Sequence, residues 1–324
     1  MPFAIRIERT GGPEVMNWKD LPMAEPAAGE ARVRHEAVGL NYIDIYHRSG
    51  LYPLPLPSGL GLEAAGVVEA VGAGVTEVQP GDRVAYAGGP VGAYSQSRCI
   101  AADRLLQLPA AISCETGAAM MLQGLTVAYL LRRTYRVQPG EAVLIHAAAG
   151  GVGLMACQWA KALGATVIGT AAGEEKAALA RAHGCDEVID YGHEDVAQRV
   201  RQLTAGEGVA VVYDGVGKDT FAASLDSLRT CGMLVSFGNA SGAVPPFDPL
   251  LLSQKGSLFL TRPTLMHYTA KRSDLVALAA ELFAVVSAGT VNIRINQRYP
   301  LTEVAQAHRD LEARKHTGST ILLP

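Results

Sequence analysis

The 324-residue chain has no long hydrophobic run, no marked excess of charge of either sign and few cysteines, and each shortage excludes something. A membrane-crossing helix needs roughly 20 consecutive apolar residues. The most apolar window, 143 to 160, contains Gly150, Gly151, Gly153 and His146 and is broken by an evident loop, so no membrane insertion is expected. Arg6, Glu8 and Arg9 stand where a signal peptide would need an apolar core, and the expected location is cytoplasmic. A formal net charge of -3, without a Lys/Arg cluster, offers little to a phosphate backbone, so nucleic acid is not expected as a main partner. The five cysteines, Cys99, Cys114, Cys157, Cys185 and Cys231, are scattered, with no CxxC or Cys/His pairing. That pattern fits a reducing compartment and argues against a structural zinc.

What is present describes an ordered globular protein: 49% hydrophobic residues, 18% charged, 35 glycines and 17 prolines. The length favours two domains. Through the first third, AIRIER and ARVRHEAVGL alternate, and AAGVVEAVG and GDRVAYA are valine-rich and punctuated by glycine, which predicts an antiparallel β-rich domain. The proline-rich LYPLPLPSG at 51 to 59 reads as an extended loop. From Thr116 the period becomes helical, and apolar segments at 142–147, 166–171, 187–191, 209–215 and 232–238 alternate with helical ones. That order implies an α/β unit around a parallel sheet covered on both faces. Strand signals return in VNIRINQRYP and STILLP, around a helix whose stripe is Leu301, Val304, Ala305, His308 and Leu311. The tail is therefore expected to complete the first domain, giving 1–122 with 263–324 around a cofactor domain of 123–262.

The segment HAAAGGVG, 146 to 153, joins an apolar strand to a helix. Unsatisfied N–H groups and the dipole at a helix start suit a diphosphate, and glycines are needed where side chains would block it. The dinucleotide pattern G-x-G-x-x-G reads here Ala148, Ala149, Gly150, Gly151, Val152, Gly153, with alanine at the tight-turn position. A phosphate-binding P-loop is excluded, because no Lys-Ser/Thr follows. The loop alone fits a small-residue packing turn as well; the strand-helix units after it favour a dinucleotide. The second strand ends in Ala171, Ala172 and Gly173 without the carboxylate that usually accepts the ribose hydroxyls of NAD, and Lys176 lies just beyond. This favours NADPH over NADH, although Lys176 also reads as an ordinary helix lysine. Gly238, Asn239 and Ser241 follow the fifth strand, at the edge where such sheets bind ligands.

At this point the chain resembles the medium-chain dehydrogenase/reductases, and within them the zinc-free quinone oxidoreductases related to zeta-crystallin. The resemblance is carried by GEAVLIHAAAGGVGLMACQWAK at 140 to 161, by Gly61-Leu62-Glu63-Ala64-Ala65-Gly66-Val67-Val68, Val71-Gly72 and Pro80-Gly81-Asp82-Arg83-Val84, and by RSGLYP at 48 to 53 and FGNASG at 237 to 242. It covers nearly the whole chain. It implies a GroES-like catalytic domain, a Rossmann-type cofactor domain, a cleft between them and a homodimer. Aligned on these motifs, Asn41 replaces the metal-binding cysteine of the zinc-dependent relatives and Leu62 replaces the histidine, so no metal is expected.

The resemblance also implies that residues 41 to 46 line the cleft near the nicotinamide. Tyr46 would orient or protonate a substrate carbonyl, Asn41 would hydrogen-bond cofactor or substrate, Tyr42 would serve the cofactor, and Asp44 stands between a catalytic role and a turn or ion-pair role. Gln123, Thr126 and Tyr129 would face the nicotinamide half, a placement that helix packing explains almost as well. Tyr191 and Arg314 match positions that serve the cofactor phosphates. The expected activity is zinc-independent hydride transfer from NADPH to a quinone or another small electrophile, because a quinone needs no Lewis acid to accept hydride. Two alternatives stay open: reduction of an enal or enone double bond, and a non-catalytic NADPH-binding protein of crystallin-like or RNA-binding type.

Overall fold

A computed structural model describes residues 2–324, which form two compact units: 2–125 with 269–283 and 293–324, and 126–268 with 284–292. The first unit runs through β1 (Phe3–Ile7), β2 (Asn17–Asp20), β3 (Glu30–Leu40), α1 (Tyr42–Ser49), β4 (Ser58–Gly59), β5 (Glu63–Val71), β6 (Arg83–Ala87), β7 (Ser97–Ala101) and β8 (Leu106–Gln107) to α2 (Cys114–Tyr129), whose last turns belong to the second unit. There follow β9 (Ala142–Ile145), α3 (Gly151–Ala162), β10 (Thr166–Ala171), α4 (Glu174–Ala182), β11 (Glu187–Asp190), α5 (Val196–Leu203), β12 (Val209–Asp214), α6 (Phe221–Ser227), β13 (Leu228–Ser236), α7 (Leu250–Gln254), β14 (Phe259–Thr261) and α8 (Leu265–Tyr268). The chain ends through α9 (Arg272–Ser287), β15 (Ile295–Pro300), α10 (Val304–Glu312) and β16 (Ser319–Leu323).

In the first unit a large sheet is ordered β15-β16-β3-β5-β6-β8, with β7 also on β3, beside a small sheet β2-β1-β4. All pairs are antiparallel except β15 with β16. Strand β3 shows why: Ala31, Val33, His35 and Ala37 point inward, while Arg34 and Glu36 face solvent. Ala31 and Val33 join Val68, Val84, Tyr86 and Leu322 in the core.

The second unit is a parallel sheet ordered β11-β10-β9-β12-β13-β14. Its central strand β12 is buried along its whole length, as expected for a strand covered on both faces. Leu144, Ile168, Val212, Leu225 and Leu234 form its core. The α/β class and the β-rich first unit agree with the sequence reading. Sequence reading found five of these six strands; β14, three residues long, gave too short an apolar signal. It also began β13 four residues late, because Arg229 and Thr230 interrupt the apolar run. Among the described residues no helix is long and apolar enough to cross a membrane.

Candidate active site

The candidate residues fall into two groups, one in each unit. In the second unit, all five loops after β9, β10, β11, β12 and β13 leave the carboxyl edge of the sheet, the edge where ligands bind in open α/β folds. Helix α3 has Gly150 as its N-cap, and its first internal bond runs from Leu154 N–H to the Gly150 carbonyl at 2.8 Å. The N–H groups of Gly151, Val152 and Gly153 precede that bond and face outward along the helix axis. A Cβ on Gly153 would lie 2.3 Å from the Ala147 carbonyl oxygen and 2.7 Å from the Ala148 carbonyl carbon, so only glycine permits this approach. The loop can therefore take a diphosphate, and its residues fit a dinucleotide.

The alanine at the first pattern position has two physical explanations. The left-handed residue is Ala147 (φ 52), one place earlier than the pattern suggests, at a cost of about 1 kcal/mol. Ala148 is tolerated because the facing residue on β10 is Gly169, where a Cβ would come 2.7 Å from the Ala148 methyl. The glycine absent from the loop is present on the neighbouring strand.

Gly173, Lys176, Tyr191, Gly238, Asn239 and Ser241 follow strands at the same edge. Gly173 (φ 78) caps α4, with open space where a Cβ would be. Lys176 is half-buried in the first turns of α4, and Tyr191, just after β11, is 47% exposed. Ala172 is exposed at the end of β10, so no carboxylate occupies that position. Asp190, opposite Ala171 on β11, accepts from Gly192 N–H (3.0 Å) and bonds His193 (3.0 Å), and the histidine holds its carboxyl below the usual range. Gly238 allows the β13 loop to meet the β12 loop: a Cβ there would be 2.3 Å from the Gly215 carbonyl oxygen. Asn239 accepts from Gly242 N–H, and the Ser241 hydroxyl donates to the Val216 carbonyl at 3.0 Å. Thr126 is buried in α2, and Tyr129 stacks on Tyr268 with centroids 4.4 Å apart.

In the first unit, Asn41 is the extended N-cap of α1. Its N–H donates to Asp44 Oδ2 (2.9 Å), and its carbonyl accepts from Asp44 N–H (3.0 Å), which fixes the helix start. The Asn41 carboxamide bridges two other segments: Nδ2 donates to Glu63 Oε2 (2.6 Å), and Oδ1 accepts from Gln123 Nε2 (3.0 Å). Ser319 Oγ donates to Gln123 Oε1 (2.9 Å), and Leu122 N–H donates to Glu63 Oε1 (2.7 Å). Burial pushes the Glu63 carboxyl up to about 8, against the hydrogen bonds from Asn41 and Leu122.

Asp44 is fully buried and starts a second chain. Tyr94 OH donates to its Oδ2 (2.9 Å), His308 Nε2 meets that hydroxyl (3.0 Å), and Arg48 Nη1 meets His308 Nδ1 (3.1 Å). Arg48 ends the chain on Glu312 at 2.5 Å. Burial pushes Asp44 up to about 7 and, with Arg48 adding repulsion, His308 down to about 3. Asp44 Oδ1 has no hydrogen-bond partner. Around this framework Tyr46 is buried, 6.4 Å from Tyr42 and edge-on to Tyr52 at 5.1 Å. Tyr42 OH donates to the Leu311 carbonyl at 3.1 Å, which also accepts from the N–H of exposed Arg314 at 3.0 Å, so these two expected residues share one helix end.

Known proteins similar to this one match along its whole length. Residues 27–110 match the alcohol dehydrogenase GroES-like domain, and residues 151–283 match the zinc-binding dehydrogenase family. A quinone oxidoreductase of Pseudomonas aeruginosa is 57% identical over 100% of both chains. This chain belongs to the quinone oxidoreductases of the medium-chain dehydrogenase/reductase superfamily. The crystal structure of the Escherichia coli quinone oxidoreductase complexed with NADPH is similar with a TM-score of 0.97 at 50% identity, covering 99% of this chain and all of that one. A 2-haloacrylate reductase of Burkholderia is 45% identical over 100% of this chain and 99% of its own.

For this member of the family, zinc does not fit the donors present. Leu62 is aliphatic and buried, and both Asn41 carboxamide atoms and both Glu63 oxygens are engaged within the protein. Among the described residues no three His, Cys, Asp or Glu side chains converge. Sequence reasoning missed the partners of the candidate residues in the first unit: Glu63, Tyr94, Arg48 and His308. One signal was available, since a histidine in the apolar stripe of the tail helix must be satisfied in the core; His308 is fully buried.

Proposed function

We propose that this chain is an NADPH-dependent, zinc-independent reductase of quinones. The observation that carries the reading is the carboxyl edge of the parallel sheet, where a glycine-built cradle opens a helix beside a second strand that ends in Ala171 and Ala172 with no carboxylate. The full-length likeness to quinone oxidoreductases, one of them in complex with NADPH, supports it.

The chemistry that NADPH supplies when bound is hydride from nicotinamide C4. The N–H groups of Gly151, Val152 and Gly153 bind the diphosphate, with Ala149 and Gly150 shaping the turn. Lys176, Tyr191 and Arg314 serve the adenosine phosphate, and Gly173 keeps its approach free of a side chain. Gly238, Asn239, Ser241, Thr126, Tyr129, Gln123 and Tyr42 bind the remaining parts of the cofactor. Asn41 hydrogen-bonds cofactor or substrate through the N–H and lone pair that Glu63 and Gln123 leave unused. Tyr46 orients the substrate carbonyl, and Asp44 holds the start of the helix that presents it. A quinone is electrophilic without a Lewis acid, so protein positioning and one proton complete its two-electron reduction.

A second reading, reduction of an activated carbon-carbon double bond, is favoured by the 45% identity to a 2-haloacrylate reductase, whose named substrate is an activated alkene. Relative turnover on matched quinones and enones, each with NADPH and NADH, separates the readings. Quinone turnover that prefers NADPH supports the first; enone turnover alone supports the second.

The same proposal includes a homodimer and a cytoplasmic location. Strand β14 ends the parallel sheet with one edge unpaired and Phe259 57% exposed, a surface that strand extension by a second copy would cover. All five cysteines are free, as a reducing compartment keeps them.

A further inference from the structure

A buried polar chain runs behind the glycine loop, through residues with no role in the reading above. Ala147 N–H donates to Thr170 Oγ1 at 3.3 Å, and Thr170 Oγ1 lies 3.1 Å from His146 Nδ1. His146 Nε2 lies 3.0 Å from Ser224 Oγ, which donates to Asp214 Oδ2 at 2.8 Å. Thr170, His146, Asp214 and Ser224 are each at most 3% exposed.

The donors have one consistent order. The Asp214 carboxyl also receives Val216 N–H (2.8 Å), Gly217 N–H (3.0 Å) and the Thr220 hydroxyl (2.8 Å), so it acts as an acceptor only. The Ser224 proton is therefore committed to Asp214, and the Ser224 oxygen must accept from His146 Nε2–H. A neutral His146, which burial favours, then has a bare Nδ1 that accepts the Thr170 proton. The Thr170 oxygen is left to hold Ala147 N–H. The Thr170 main-chain carbonyl accepts the next amide, Ala148 N–H, at 2.9 Å. Thr170 thus grips both residues that set the turn, and the gripped Ala147 is the one in the left-handed region.

We propose that Thr170, His146, Ser224 and Asp214 are positioning residues for the cofactor: they hold Ala147 in its left-handed conformation, so that the amides opening α3 are already arranged for a diphosphate. In this member of the family a relayed hydrogen-bond chain does what a glycine's conformational freedom would otherwise do. The proposal rests on the reading of this loop as an NADPH site.

The experiment measures NADPH dissociation constants and melting temperatures for Thr170→Val, Thr170→Ser and Ser224→Ala, with Thr170→Val repeated in an Ala147→Gly background. Valine keeps the shape of threonine without its hydroxyl, and serine keeps the hydroxyl. Thr170→Val is expected to weaken NADPH about tenfold, Ser224→Ala about fivefold, and Thr170→Ser less than threefold. With glycine at 147 the valine effect is expected to fall below threefold, because the turn no longer needs the grip. Should Thr170→Val not fold, Ser224→Ala carries the affinity test. Lower melting temperatures with unchanged NADPH affinity would overturn the proposal and leave the chain a structural brace.

Nitrogen chemical shifts of the His146 ring, recorded without cofactor, test the chain directly. A neutral ring protonated on Nε2 is expected; an Nδ1-protonated ring would overturn the donor order. Absence of NADPH binding by the unaltered protein would overturn the cofactor reading, and the proposal with it, whatever the ring shows.

Discussion

Each unit buries a histidine between two partners and joins it to a carboxyl group, yet the two carboxyl groups are treated differently. Asp214 in the second unit receives two main-chain N–H groups and two hydroxyls. Asp44 in the first unit receives one N–H and one hydroxyl, both on Oδ2, and its Oδ1 has no partner. Glu63, nearby in the same network, receives Asn41 Nδ2–H on one oxygen and Leu122 N–H on the other. Where donors are plentiful, the network acts as a fixed brace. Where they are few, burial favours the neutral acid, and Asp44 and Glu63 are pushed up to about 7 and about 8. The braced chain stands behind the loop read as holding the cofactor. The sparsely satisfied one surrounds Asn41 and the start of α1, the segment read as facing the reaction.

The largest expected effect on cofactor binding lies on the braced side. Gly153→Ala forces the loop carbonyls away from a Cβ that would sit 2.3 Å from one of them. NADPH affinity is expected to fall more than about a hundredfold, or roughly 2.7 kcal/mol. A binding titration beside a circular dichroism spectrum checks this, and near-normal affinity would show that the loop is not braced.

The next effect belongs to the sparsely satisfied side. Both carboxyl groups bind protons more tightly folded than unfolded, so between their ordinary range near pH 4 and their folded values of about 7 and 8 the native state carries more protons. Their contribution to stability is full below that window and is lost as pH rises through it. Glu63→Gln removes one of the two, and its stability relative to the parent protein is expected to improve by on the order of 3 kcal/mol between pH 5 and pH 8. Urea unfolding at both pH values reads this. Equal slopes for the two proteins would mean that Glu63 is satisfied as well as Asp214.

Arg48→Met sharpens the same contrast. It removes the partner of His308 Nδ1 and of Glu312, and because Glu312 is partly exposed the expected loss is about 2 kcal/mol rather than that of a fully buried pair. Denaturant midpoints measure it.

Two smaller changes separate the cofactors. Ala172→Asp restores a carboxylate to the end of β10 and is expected to shift preference from NADPH toward NADH by about tenfold, close to 1.4 kcal/mol. Lys176→Ala is expected to cost NADPH only about threefold, since a half-buried lysine contributes modestly. Ratios of kcat/KM for the two cofactors read both variants.

Much of this fold was legible because its signals are local. The apolar runs that became β10 and β12, the alternation along β3 and the glycines of the α3 turn each follow from spacing within a few residues. The partners of the site were not legible, because they are set by tertiary contact. Nothing near Ala148 in sequence announces that Gly169 will face it, or that His146 will find Ser224 seventy-eight residues away. The tight turn was placed one residue late for the same reason, since Ala147 is held left-handed by a hydroxyl from another strand. Glu63 sits within an apolar run, and its bond to Asn41 spans twenty-two residues.

The most direct test of the central claim is NADPH consumption with 1,4-benzoquinone by chelator-treated protein, run beside NADH. The account predicts quinone-dependent oxidation that prefers NADPH and is unchanged by the chelator. Activity that disappears with the chelator and returns with zinc, or the absence of quinone-dependent oxidation despite bound NADPH, would contradict it.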